Sequence, residues 1–102
     1  MAQIYKIQYL STFHSDVAQV EIDLQEFPEM AARIFFKLDK ILSSLVLMPK
    51  MFPMYEDFPI FRKIIIENYL VFYIFDERTG LIEIHRLLYG GMDLQSRFGV
   101  KK

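Results

Sequence analysis

The sequence predicts an α+β domain in the order strand, helix, helix, strand, strand, strand, with both helices on one face of the sheet. Three observations carry that prediction. The chain begins with a short alternating run, Ile4 to Tyr9. Two apolar stripes at helical spacing follow, separated by Pro28. Three β-rich runs then lie close together between Phe61 and Tyr89. Strands so near in sequence pair most simply as an antiparallel meander, and an amphipathic helical pair must bury its stripe against such a sheet.

Each element has its own signal. In the first run Tyr5, Ile7 and Tyr9 share one side, and Lys6 and Gln8 the other. Ser11 or Thr12 is placed to cap the first helix through its hydroxyl. Phe13, Val17, Val20, Leu24 and Phe27 then make one helical stripe, while Asp16, Glu21, Asp23 and Glu26 fall mostly off it, toward water. Pro28 suits the first turn of the next helix, where a missing N–H leaves nothing unsatisfied, and Glu29 complements the positive end of its dipole. Met30, Ile34, Leu38, Ile41, Leu42 and Leu45 recur at helical spacing, with Phe35 widening the stripe. The short link between the two predicts an antiparallel helical hairpin.

Pro49, Pro53 and Pro59 mark an irregular segment that holds Met48, Met51 and Met54. Such a loop either offers an adaptable apolar contact to a partner or folds onto the sheet edge. The strands are predicted at Phe61–Ile66, Tyr69–Phe75 and Leu81–Tyr89, with turns at Glu67-Asn68 and at Asp76–Gly80. Alternation places Leu70, Phe72 and Ile74 toward the helices. It gathers Tyr69, Tyr73, Glu83, His85 and Tyr89 on an open face. Arg86 shares its parity with Ile82, Ile84 and Leu88, so a bulge or a strand end is needed to free its guanidinium.

Composition bounds the function. The 102 residues are 53% apolar and 25% charged, which is a folded chain of one domain, residues 1–102, with the tail from Met92 to Lys102 read as mobile. Twelve Lys and Arg against 13 Asp and Glu argue against an overtly cationic nucleic-acid binder. Without any Cys, a disulfide scaffold, a thiolate zinc site and a cysteine nucleophile are excluded. His14 and His85 have no ligand neighbour at metal spacing, and no phosphate loop, nucleophile elbow or triad order is present, so no metal and no cofactor is expected. The absence of an apolar span and of a signal-type start at Met1–Lys6 reads as a cytoplasmic chain with no membrane partner.

A resemblance enters at the last strand. Arg86-Leu87-Leu88-Tyr89-Gly90-Gly91-Met92-Asp93-Leu94 resembles the end of the RelE/ParE toxin superfamily, whose ParE-type members close with Arg, two apolar residues, His, Gly and Arg-Asp. Glu67–Tyr73 resembles that family's turn and Tyr-x-x-x-Tyr strand, and Pro49–Arg62 its Pro-rich loop leading to an Arg. The order of elements agrees over Tyr5 to Leu94. The resemblance implies the toxin of a type II toxin–antitoxin module (a plasmid-stabilisation type of protein), held inactive by a cognate antitoxin encoded nearby. It implies one of two targets, DNA gyrase for ParE-like members or mRNA in the ribosome for RelE-like ones. It leaves the assembly as a homodimer or a toxin–antitoxin hetero-oligomer.

Departures from the family pattern shape the site prediction. Where RelE-like nucleases carry Arg after the first strand Tyr, this chain has Leu70; the later Arg is Met92, and the C-terminal Tyr has Phe98 nearest to it. The ParE-type His is Tyr89. The first reading is therefore inhibition by binding, with gyrase as target, through Arg62, Tyr69, Tyr73, Arg86 and Tyr89. There Arg86 grips a carboxylate or phosphate, unless an internal salt bridge to Glu67 or Glu83 takes it. The alternative is a ribosome-dependent endoribonuclease with His85 or Tyr89 as acid/base and Arg62 and Arg86 stabilising charge. A non-toxic relic or interaction domain is the third.

Overall fold

A computed structural model describes residues 5–90. The elements are β1 (Lys6–Tyr9), α1 (Ser11–Asp23), α2 (Pro28–Leu45), β2 (Arg62–Ile66), β3 (Tyr69–Asp76) and β4 (Leu81–Tyr89), which is the predicted order. Gly91 and the tail from Met92 to Lys102 lie outside the described residues.

The sheet is mixed, in the order β1-β4-β3-β2. β2, β3 and β4 form the expected antiparallel meander, while β1 joins β4 in parallel, with Ile7 beside Ile82. α1 packs against β4 and α2 reaches β2. Their inward residues (Phe13, Val20, Ile34, Leu38, Leu42 and Leu45) meet Ile64, Ile66, Val71, Ile82 and Ile84 in the main core. α1 is shorter than its predicted stripe: it ends at Asp23, and Phe27 stands 56% exposed. Pro28 opens α2 with Glu29 in its first turn, as the sequence indicates.

The sheet parity differs from the prediction. Tyr69, Val71 and Tyr73 face the helices and join the main core, while Phe72 lies on the other face with Tyr55, Leu88, Leu70, Phe58 and Phe61. The reason is compositional. Tyr69-Leu70-Val71-Phe72-Tyr73-Ile74-Phe75 is apolar on both parities, so alternation carries no polar signal to read. Both faces are indeed covered, one by helices and one by the loop between α2 and β2. That loop is strapped down by Tyr55 N–H donating to the Phe61 carbonyl (2.8 Å) and Lys63 N–H donating to the Pro53 carbonyl (3.0 Å). It folds onto the sheet while leaving Met48 and Met54 more than half exposed.

A bulge interrupts β4. Phe72 pairs with Arg86 and Tyr73 with Ile84, so His85 is the extra residue. Parity shifts there, which is why Ile84 and Leu87 are both in the main core while Leu88 turns to the other face.

Candidate functional site

The bulge lies where β1 stops. Leu10 N–H donates to the Ile84 carbonyl (3.1 Å), and beyond that point α1 takes over the edge of β4. Thr12 Oγ1 donates to the His85 carbonyl at 2.8 Å, and Asp16 Oδ2 accepts from Leu87 N–H at 2.9 Å. Thr12 and Asp16 are one turn apart on α1, so their side chains continue a ladder that β1 leaves unfinished. This corrects two expectations. The N-cap of α1 is Leu10, with no side-chain cap bond, because the Thr12 hydroxyl serves β4. Asp16 does not face water.

Asp16 also determines where Arg86 goes. The guanidinium makes a two-pronged contact, Nε to Oδ2 at 2.7 Å and Nη2 to Oδ1 at 3.0 Å. Both side chains are largely covered, at 17% and 13% exposure. The internal partner of Arg86 is thus Asp16, not Glu67 or Glu83. Glu67 instead accepts from Arg33 and Lys37 of α2, which hold its carboxyl below the usual glutamate range.

The other candidates are distributed over different surroundings. Tyr73 is fully buried, and its hydroxyl donates to the Pro49 carbonyl at 2.7 Å; burial pushes its pKa up. Its neighbour in the ladder, Arg62, donates from Nη1 to the Phe52 carbonyl at 2.7 Å. These two side chains hold the loop, and Tyr73 does not reach an open face. Tyr69 is also buried, with its ring edge-on to Tyr89 at 5.8 Å, and Tyr89 is 48% exposed. His85 lies edge-on to Phe61 at 5.1 Å. Its Nε2 is buried without a hydrogen-bond partner among the described residues and stands 3.6 Å from Glu83 Oε1, too far for a hydrogen bond.

The structure therefore brings Arg86 and Leu87 together with Asp16, and Tyr69 together with Tyr89. It places Arg62 and Tyr73 beneath the loop and His85 beside Phe61. Asp16 is the residue that sequence reasoning missed. A signal existed: it falls between Phe13 and Val17, on the flank of the apolar stripe, where a carboxylate needs a partner. Among the described residues no three His, Asp or Glu side chains form a metal-binding group. No helix of the described residues is long and apolar enough to cross a membrane.

An α+β domain of two helices on a four-stranded mixed sheet, with first and last strands parallel neighbours, defines the class. No family model matches the chain, and no curated protein matches it. Among solved structures it is similar to a chain in the crystal structure of the toxin–antitoxin complex RelBE2 from Mycobacterium tuberculosis. The identity is 15% and the TM-score 0.61, over 84% of this chain and 98% of that one. The chain shares the fold of that chain.

Proposed function

We propose that this chain is the toxin of a type II toxin–antitoxin module. It arrests growth by binding an essential target, DNA gyrase first, and is neutralised by a cognate antitoxin encoded nearby in the cytoplasm. The fold shared with a chain of a toxin–antitoxin complex supports the toxin role. The observation that favours binding over cleavage is the dispersal of the candidate nuclease residues. Arg86 is neutralised by Asp16, and Arg62 is tied to the Phe52 carbonyl. Cleavage of RNA by its own 2′-hydroxyl needs cations converging on one phosphate, with an acid/base pair beside them.

One observation favours the second reading, a ribosome-dependent endoribonuclease: the His85 Nε2, without a hydrogen-bond partner among the described residues, is the kind of nitrogen an acid/base would use. Induction in bacteria, alone and with the adjacent reading frame, separates the two. Arrest with intact mRNA and altered plasmid supercoiling, relieved by the neighbour, is the expected result. Codon-phased mRNA cuts that disappear in His85→Gln would establish the nuclease instead.

A further inference from the structure

β2 is the outermost strand on its side of the sheet. The loop between α2 and β2 covers the first half of its free edge. Met54 pairs with Arg62 there, and Lys63 N–H donates to the Pro53 carbonyl at 3.0 Å. Main-chain groups alternate in direction along an antiparallel strand, so Ile65 points its N–H and carbonyl outward as Lys63 does. No main-chain partner meets them among the described residues. Edges are ordinarily blunted by charge or proline, yet Ile64-Ile65-Ile66 carries neither.

α2 runs beside this open half and leaves a groove of about 250 Å³, with Phe36, Lys40, Ile41 and Ile65 among its lining residues. Phe36 is 63% exposed and Ile65 65%, so two large apolar side chains meet water on the same groove. Its charge is positive. Glu67 is already held by Lys37 and Arg33, whereas Lys40 has no carboxylate partner among the described residues. The Lys40 Nζ stands 4.9 Å from the centre of the Phe36 ring.

An outward main-chain pair, an apolar shelf and a cation without a carboxylate together suit an extended acidic segment. We propose that a partner protein lays a short extended stretch along Ile65, with an apolar side chain between Phe36 and Ile65 and a carboxylate on Lys40. Main-chain bonds to Ile65 hold the stretch, and its alternate side chains reach the groove. A second copy of this chain fits poorly. Antiparallel pairing of two β2 strands about Ile65 would set Glu67 of the second copy beside Lys63, the place that Pro53 occupies. The surface is independent of the gyrase or ribosome question.

The test titrates the peptide acetyl-Val-Glu-Val-Glu-Val-amide into the ¹⁵N-labelled full chain. Saturable shifts at the Phe36, Lys40 and Ile65 amides are expected, with slower hydrogen exchange at Ile65. The same peptide methylated at every peptide nitrogen cannot pair with the edge and should give no saturable shift. Lys40→Glu should weaken the apparent affinity about fivefold, the scale of an exposed ion pair. Lys40 is exposed, so this variant keeps the wild-type spectrum and its fold is verified in the same experiment. No saturable shift, an equal response to the methylated peptide or to one with Lys in place of Glu, unchanged affinity in Lys40→Glu, or shifts located elsewhere would each overturn the assignment. So would self-association of the chain that protects the Ile65 amide without peptide. Neither gyrase, ribosome nor antitoxin is present, so failure here leaves the toxin reading standing.

Discussion

At the scale of single residues, Asp16 connects more parts of the molecule than any apolar stripe suggests. It binds the Arg86 guanidinium twice and the Leu87 amide once, with little water nearby. Removing one member of such a pair leaves the other charge covered and unpaired. Arg86→Ala is expected to destabilise the fold by about 2–4 kcal/mol, seen as a lower urea midpoint at unchanged slope. A loss under about 0.5 kcal/mol would show the pair to be incidental. Glu67 gives a pH prediction. Lys37 and then Arg33 lower its pKa in the folded chain, so its contribution is complete above the ordinary value of 4.5 and fades as pH falls through the lowered one. The melting-temperature gap between wild type and Glu67→Gln should therefore be present at pH 7 and close in acid. A gap that widened in acid would reverse the sign. The Arg86 partner was not legible because Asp16 is 70 positions away, and a helical repeat says only which flank a carboxylate occupies.

At the scale of elements, boundaries were legible and faces were not. Pro28, the Glu67-Asn68 turn and Gly80 locate α2, β3 and β4 to within a residue or so. Glu67 adopts φ 54° and Gly80 φ 72°, the left-handed turn conformations that stop one strand and start the next. The awkward parity of Arg86 called for either a bulge or a strand end, and β4 has the bulge, but β3 is apolar on both sides and its orientation followed from what each face had to cover. The loop between α2 and β2 covers the second face, and Tyr73 is its anchor. Tyr73→Phe removes the hydroxyl from a buried carbonyl and should reduce stability by about 1–2 kcal/mol while speeding proteolysis within residues 46–61. Unchanged cleavage would mean that Arg62 and the aromatic cluster hold the loop without it. For α1, Asp16→Ala should accelerate hydrogen exchange at the Leu87 amide and leave Val71, in the centre of the sheet, unchanged. Equal acceleration at both would signal global loosening rather than an opened edge.

For the molecule as a whole, the fold and the order of elements were legible where the site was not. Core positions repeat with the period of their element, whereas a site is assembled from residues that share no period. At 15% identity to a chain of the same fold, the likeness speaks for the architecture and not for any functional side chain. The departures at Leu70 and Tyr89, the pairing of Arg86 and the tethering of Arg62 all bear on the same question, whether the chain cuts RNA or binds. The most direct measurement puts the purified chain on purified DNA gyrase and, in parallel, on ribosomes programmed with mRNA. The account predicts inhibited supercoiling or accumulated broken DNA with gyrase, and full-length mRNA on the ribosome. Unaffected gyrase together with cuts in ribosome-bound mRNA would contradict it.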